Sequence, residues 1–283
     1  MVDPLRRSWT GVSFRWRPFT LVLAGAALLA LVFLLLPILA IFLEIAPAEI
    51  GRQLGTDFVV DALIVTARAN GIAFAVTLLV GTPAGYFLAT RRFPGRTLLI
   101  TLCELPLVLP PVVAGIGLLA AFGRVGLLGG TFDALGISIG FTNLAVTFAV
   151  LLVAGPYYLR QAIAAFEAVD PNLVAAARTL GAGPGRAFRR VALPLAMTGL
   201  SAGAALAFAR GIGEFGATLM FAGSFQGETQ TFTLAIYQAF DVDFDLALAL
   251  GALLVLVSAA ILLGVKLLGS WRSAPALGGV RGR

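Results

Sequence analysis

Two opposite charges, Arg210 and Glu214, stand four positions apart inside the apolar stretch 191–227. On a helix this spacing places both side chains on one face, where they can form an ion pair. A charged side chain inside a membrane costs about 3 kcal/mol or more unless it is paired or faces a cavity. Two interpretations follow. The pair neutralises charge inside a helix bundle, or Arg210 attracts an oxyanion while Glu214 holds the arginine side chain in place. Glycines at 211, 213 and 216 allow a close backbone approach or a helix distortion beside the pair.

Three prolines interrupt a second apolar stretch, 97–123, at positions Pro106, Pro110 and Pro111. Because proline has no backbone N–H, we expect this stretch to kink or unwind. Non-helical backbone at membrane depth is tolerated where it is buried in protein or lines a water-filled cavity. Two interpretations stay open for the segment that also contains Leu105 and Leu109: a purely structural kink, or the lining of a translocation path.

Six stretches with few or no charges must position these residues, and each is long enough for a membrane-spanning helix of about 20 residues. They are 18–43, 69–90, 97–123, 134–159, 191–227 and 246–265. We therefore predict an all-α membrane protein with six transmembrane helices and one long polar loop between spans four and five. The first stretch is too long for the apolar region of a secretory signal and is interpreted as a retained span.

The composition excludes a water-soluble enzyme and indicates how the chain is oriented. Hydrophobic residues make up 59% of the 283 and charged residues 12%, whereas a soluble domain carries about 25% charged residues. Of the 20 Lys+Arg residues, sixteen fall in the N-terminal segment, in 91–96, in 160–190 and after residue 265. By the positive-inside rule, both termini are cytoplasmic. The net charge of +6 thus reflects membrane topology, and we predict no nucleic-acid partner.

The chain offers few residues for covalent, metal or nucleotide chemistry. It has no histidine and a single cysteine, Cys103, so a Cys/His zinc site and an internal disulfide are not expected. The glycine-rich segment 181–185 lacks the lysine and the following strand of a phosphate-binding loop. We predict no catalytic residues, no metal and no cofactor.

The polar loop 160–193 is patterned as two short helices. Asp170 followed by Pro171 is typical of an N-cap and a first helical position, and Gly181 suits the position just after a helix end. A second helix starts near Pro184. This pair of helices either rests on lipid headgroups or forms a docking surface for a cytoplasmic protein.

The loop resembles that of ABC importer permeases. Their motif is Glu-Ala-Ala, three residues, Gly, nine residues, then Ile-x-Leu-Pro. Here Ala175-Ala176-Ala177, Gly181 and Val191-Ala192-Leu193-Pro194 have the same spacing across 20 positions. One departure is that Ala175 replaces the motif glutamate, so Arg178 or Glu167 would have to provide its contact.

Two further segments are similar to the molybdate permease branch of this family. One is the proline-containing segment 105–113, and the other is the segment 207–218, which is followed by Gly227-Glu228-Thr229-Gln230-Thr231. The resemblance covers roughly residues 58–268. It implies a type I permease subunit, working as a homodimer, that lets molybdate pass when cytoplasmic ABC ATPase subunits hydrolyse ATP and an extracytoplasmic molybdate-binding protein delivers the ion.

The resemblance also assigns residues and segments. The ATPase-coupling loop would comprise Glu167, Asp170, Ala175, Ala176, Ala177, Arg178, Gly181, Leu193 and Pro194. The translocation path would include Leu105, Pro106, Leu109, Pro110, Pro111, Arg210 and Glu214. We expect a cytoplasmic N-terminal tail at 1–17, an additional first transmembrane helix at 18–43, a permease domain at 58–268 and a disordered cytoplasmic tail at 269–283.

These features place the chain in a bacterial cell (inner) membrane, in contact with lipid. Three alternatives remain from the sequence. The same machine could carry sulfate or tungstate, the chain could be a stand-alone secondary transporter, or it could be a membrane-embedded enzyme. The loop motif argues against the second, because a carrier without an ATPase has no need of a coupling surface.

Overall fold

The computed structural model describes residues 18–272, which form thirteen α-helices and no strand. In chain order these helices are α1 (Pro18–Glu44), α2 (Pro47–Gln53), α3 (Asp57–Thr90), α4 (Arg96–Glu104), α5 (Pro111–Phe122), α6 (Gly129–Ala134), α7 (Asn143–Glu167), α8 (Pro171–Thr179), α9 (Pro184–Ala187), α10 (Leu193–Ile212), α11 (Gly216–Ala222), α12 (Phe232–Val242) and α13 (Phe244–Arg272). A 3-10 turn at Leu105–Leu107 follows α4, and a π-helical turn at Phe188–Ala192 joins α9 to α10. The prediction of an all-α membrane protein is confirmed.

Five helices in the described part of the chain are long and apolar enough to cross a membrane: α1, α3, α7, α13 and the continuous helix Pro184–Ile212. The third predicted span, 97–123, is not one helix. Its first half, α4 with the 3-10 turn, and its second half, α5, are bent by 111° relative to each other. The prolines cause this break because neither Pro110 nor Pro111 can donate a helical hydrogen bond, and Pro111 instead starts α5. Residues 105–110 are called the proline break below.

Several helices extend beyond the ends of the membrane spans that were predicted from the positions of the charged residues. The predicted polar loop 160–193 is mostly a continuation of its neighbours, since α7 runs to Glu167 and the next long helix already starts at Pro184. Arginines mark where a helix leaves the membrane, but they favour helix and do not end it. At the C-terminal end, α13 continues past position 269 to Arg272. The predicted tails 1–17 and 273–283 lie outside the described residues.

Helix α7 lies at the centre of the bundle, packed between α3 and α10. Small residues make these contacts close. Gly85 on α3 faces Ala162, and Gly199 on α10 faces Ala165, at distances that leave no room for a Cβ atom. Such packing is typical of membrane helices, where van der Waals contact replaces the hydrophobic effect.

Helix α1 is almost entirely exposed and packs on the bundle only near its C-terminal end. There Ile41, Phe42 and Ile45 contact α13 at Ala249 and Ala252. With 27 residues, it is long enough to cross a bilayer core of about 30 Å. Its side chains therefore face lipid or another protein over most of its length.

The close packing of α3 on α7 predicts a stability difference between two glycines of the same helix. A Cβ atom at Gly85 would lie 2.7 Å from the Ala162 Cβ, whereas nothing lies within 4 Å of one at Gly71. We expect Gly85→Ala to destabilise the fold by about 1–3 kcal/mol, the cost of overpacking. The matched variant Gly71→Ala should leave the melting temperature in detergent nearly unchanged. Equal melting temperatures for the two variants would contradict the close α3–α7 contact.

Candidate functional site

Arg210 and Glu214 form an ion pair, but they do not share a helix. Arg210 lies in the last turn of α10, which ends at Ile212, while Glu214 lies in the break before α11. The predicted placement on one helical face is therefore wrong. The cause lies in the glycines at 211, 213 and 216, which permit the chain to leave the helix. Residues 213–215 are called the glycine break below.

The geometry of the pair is asymmetric. The Arg210 Nη2 atom lies 2.9 Å from the Glu214 Oε2 atom, in a direction that gives an ion pair but not a hydrogen bond. The Glu214 side chain is 1% exposed and the Arg210 side chain 26% exposed. The guanidinium thus retains access to the space outside the chain, while the carboxylate is enclosed.

Glu214 also connects three helices. Its Oε1 atom accepts a hydrogen bond from the backbone N–H of Ala217, 2.8 Å away, at the start of α11. Its carbonyl oxygen accepts a hydrogen bond of 2.6 Å from the Thr233 hydroxyl, at the start of α12. Through Arg210 it reaches the end of α10. We call this arrangement the Glu214 junction.

A buried polar face of α3 lies beside the Glu214 junction. The Thr66 hydroxyl oxygen accepts a hydrogen bond of 2.7 Å from the Phe232 backbone N–H, which ties α3 to α12. Four positions later, Asn70 is 4% exposed and packs against Gly211 so closely that a Cβ atom there would lie 2.6 Å from its Oδ1. Neither residue was among those predicted from the sequence. The signal that could have found them is their spacing, which puts two polar side chains on one face of an apolar helix.

The two predicted path segments meet in the structure. A Cβ atom on Gly216 would lie 3.1 Å from the Pro111 Cβ and 3.2 Å from the Val112 backbone nitrogen. Helix α5 then packs along α11, with Gly115 facing Ala217 and Met220. The start of α5 and the start of α11 are therefore in contact, two residues away from Glu214.

The other predicted path residues before Pro111 form the proline break itself. Leu105 is half exposed and Pro106 and Leu109 are partly buried. Val108, between them, is 83% exposed. The break thus presents an apolar surface outside the single chain.

In the segment predicted as a coupling loop, helix α8 begins and ends where its caps indicate. The Asp170 Oδ1 atom accepts a hydrogen bond of 2.9 Å from the Asn172 backbone N–H, and Pro171 is the first residue of α8. Gly181 has a φ of +86°, a left-handed conformation that favours glycine after a helix end. One face of α8 packs through Val174 on the buried cluster that contains Phe166.

The opposite face of α8 is exposed. Ala175, Ala176 and Arg178 face outwards, as do Leu173 and Leu180, while Ala177 is partly buried. Position 175 is therefore at the surface, where the side chain of the motif glutamate would point away from the chain. Glu167, in contrast, is engaged within the chain by Arg96 at 2.5 Å.

Pro194 explains the π-helical turn that precedes Leu193. In a regular helix, the ring of Pro194 would clash with the carbonyl of Arg190 and leave it without a partner. The chain instead widens into the turn Phe188–Ala192 and continues as α10. Leu193 and Pro194 are thus the first two residues of α10, directly after this turn.

The Glu214 junction predicts a large cost for removing its carboxylate. Glu214→Ala removes the cap of α11 and leaves the Arg210 charge without its partner. We expect a loss of about 3 kcal/mol, typical of breaking a buried ion pair, measured as a lower melting temperature in detergent. Glu214→Gln should lose less, because its amide oxygen can still accept the Ala217 hydrogen bond. A Glu214→Ala variant as stable as the wild type would contradict this arrangement.

Comparisons with known proteins agree with this architecture. The chain is 42% identical to the "Molybdenum transport system permease protein ModB" of Mycobacterium tuberculosis over 84% of this chain and 90% of that one. It is 40% identical to the protein of the same name in Escherichia coli, over 64% of this chain and 80% of that one. It is also 32% identical to the "Sulfate transport system permease protein CysT" of Salmonella typhimurium, over 89% and 92% of the two chains.

Solved structures of transporters have the same fold. A bacterial alginate ABC transporter in complex with a periplasmic protein superimposes with a TM-score of 0.71 at 14% identity, over 91% of this chain and 95% of that one. The MetNI methionine ABC transporter gives 0.60 at 19% identity, over 75% and 95%.

The family described as "Binding-protein-dependent transport system inner membrane component" matches residues 81–271. This match includes the loop motif and both broken segments, so the resemblance inferred from them is confirmed. The chain belongs to the binding-protein-dependent transport system inner membrane components, the permease subunits of ABC importers.

Proposed function

We propose that this chain is the membrane-spanning permease subunit of an ATP-driven importer of molybdate. The single observation that carries the proposal is the partly exposed Arg210 guanidinium, held by a buried carboxylate where the two broken segments meet. A cation at this position suits an oxyanion cargo. The identity of 40–42% with permeases named for molybdenum supports molybdate in particular.

Sulfate is the second candidate cargo, favoured by the 32% identity with a sulfate permease over most of both chains. Tungstate is equally compatible with the site. The three oxyanions carry the same charge, so an arginine at the path distinguishes them poorly. Selectivity then resides largely in the protein that delivers the ion.

The partners follow from the two ends of the bundle. Cytoplasmic ABC ATPase subunits bind the exposed face of α8, and the permease hydrolyses no ATP itself. An extracytoplasmic molybdate-binding protein docks at the end of the bundle remote from α8, where the exposed acids Glu228, Asp241, Asp243 and Asp245 lie. Two copies of the chain enclose the path between them.

The orientation and the division of the chain complete the proposal. The arginine-rich end that carries α8 faces the cytoplasm of a bacterium, so both termini are cytoplasmic. Residues 58–268 form the permease domain, and α1 is an additional helix largely in contact with lipid. Arg210 then lies in the last turn of α10, at its external end, about 25 Å along that helix from its cytoplasmic start.

This geometry gives each residue a role in transport. Arg210 raises the local concentration of the oxyanion at the external entrance, and Glu214 fixes the guanidinium without closing it off. The path should bind its cargo weakly, because a tight site would not release the ion. ATP-driven displacement of α8 opens and closes the contact between Pro111 and Gly216.

Transport in reconstituted vesicles tests the proposed cargo. The chain and its ATPase are reconstituted in proteoliposomes, with ATP enclosed in the lumen, which takes the place of the cytoplasm. The binding protein is added outside, and uptake of molybdate, tungstate and sulfate into the lumen is measured. We expect ATP-dependent molybdate uptake that requires the binding protein. Uptake of sulfate alone would transfer the assignment to sulfate, and uptake without an ATPase would favour a secondary transporter.

The proposed role of Arg210 predicts that molybdate uptake slows when the positive charge at position 210 is removed. Arg210→Ala should lower the rate of molybdate uptake by about tenfold or more at low ionic strength, since charged entrances raise on-rates by factors of that size. Arg210→Lys should retain part of the rate because it keeps the charge.

Arg124→Ala is the matched control, because it removes another arginine from the same end of the bundle. The variants are compared at equal amounts of assembled complex. Full uptake by an assembled Arg210→Ala variant would leave the pair a purely structural role.

A further inference from the structure

One arginine outside the predicted sites, Arg96, joins three helices at the end of the bundle that carries α8. Its Nη2 atom donates to the Glu167 Oε1 atom at 2.5 Å. Its Nε atom donates to the Leu88 backbone oxygen at 2.6 Å. Arg96 is the first residue of α4, Glu167 is the last of α7, and Leu88 is in the last turn of α3. The planar guanidinium can hold both partners at once, which a lysine does less well.

Glu167 connects this contact to the coupling loop. It stands three positions before Asp170, whose side chain caps α8. Its neighbour Phe166 lies in an aromatic cluster with Tyr86 of α3 and Phe188 of the π-helical turn, at centroid distances of 5.2 Å and 6.0 Å. Tyr86 and Phe188 are themselves 4.7 Å apart. These contacts join α3, α7 and the π-helical turn into one packed base next to α8.

Helix α4 has little else to hold it to this base. None of its residues is buried, and it lies between Gly95, at a φ of +85°, and the proline break. Its other ion pair with α7 joins Arg160 and Glu104 at 3.6 Å, with the Arg160 side chain 69% exposed. An exposed pair at that distance contributes little. Arg96 is thus the strongest polar contact between α4 and the base.

We infer that Arg96 is a positioning residue that makes α4 follow the base when the ATPases displace α8. When α4 moves, it displaces the proline break that follows it in the chain. The break in turn displaces Pro111 at the start of α5 and so changes the contact between Pro111 and Gly216. This inference rests on the proposed function, since it needs a partner that displaces α8. It does not depend on which oxyanion is carried.

The first test measures the number of cargo ions transported per ATP hydrolysed. We expect Arg96→Ala to lower this ratio by about tenfold, within the usual range of coupling between two sites, while ATP hydrolysis continues. Arg96→Lys should restore part of the ratio because it can still pair with Glu167. Arg160→Gln is the matched control, because it removes the other ion pair of α4 and should leave the ratio near that of the wild type.

A contact that serves stability alone would give a different result. Arg96→Ala would then lower the amount of folded complex but leave the transport ratio of the remaining complex unchanged, which overturns the inference. Should Arg96→Ala fail to assemble, Glu167→Gln provides the same comparison, because it removes the charge and keeps the shape. An unchanged ratio in that variant also overturns the inference.

The second test follows α4 directly. Because Cys103 is the single cysteine, a Cys103→Ala background accepts pairs of spin labels at chosen sites. One pair joins Thr101 on α4 to Thr179 on α8, and the other joins Thr101 to Val113 on α5, all at exposed positions. With Arg96 present, we expect adding ATP to change the second distance and not the first. In Arg96→Ala, the first distance should change instead.

The two tests separate this inference from the proposed function. A wild-type complex that transports an oxyanion, with distances that are the same in Arg96→Ala, overturns the role of Arg96 alone. A wild-type complex that hydrolyses ATP but transports none of the three oxyanions overturns the proposed cargo. In that case the label distances still decide whether α4 follows α8 through Arg96.

Discussion

A carboxylate with almost no access to water is the constraint on which one end of this bundle depends. The Glu214 side chain is 1% exposed, and removing a carboxylate from water is costly unless both its oxygens find partners. One oxygen is satisfied by a backbone N–H that exists only because α11 starts there. The other faces the Arg210 guanidinium, which lies in the last turn of α10 and forms an ion pair with it but no hydrogen bond. The ion pair to α10 and the hydrogen bond to α11 thus hold the two sides of the glycine break together.

That arrangement has consequences for the neighbouring helices. A break in a membrane helix exposes backbone groups that need protection from lipid. Here the start of α11 is covered by Pro111 and Val112, at the start of another interrupted helix. Gly216 permits this contact because it has no Cβ atom. The two broken segments thus shield each other, and the Arg210 guanidinium beside them stays partly exposed.

Much of the fold could be predicted because charges and prolines act locally. Long stretches with few charges identify the spans. Pro110 and Pro111 identify the proline break, because a proline cannot donate a backbone hydrogen bond wherever it stands. Asp170 and Gly181 likewise identify the two ends of α8.

The remaining features depend on contacts between distant parts of the chain. The contact between Pro111 and Gly216 joins two segments about one hundred positions apart. The pairing of Arg96 with Glu167 joins residues 71 positions apart. The position of Glu214 beyond the end of α10 was also missed. Glycines allow a helix to continue or to stop, and the hydrogen bonds to α11 and α12 decide which occurs.

The two ends of the bundle differ in what a movement would cost. Moving the Glu214 junction would separate buried charges and hydrogen bonds, at about 3–5 kcal/mol for the ion pair alone. Moving α4 would separate no buried residue. In a membrane it would also cost little apolar contact, because lipid replaces protein against Leu98 and Leu102 with no loss from the hydrophobic effect. Of these two places, α4 is therefore the one that moves at the lower cost.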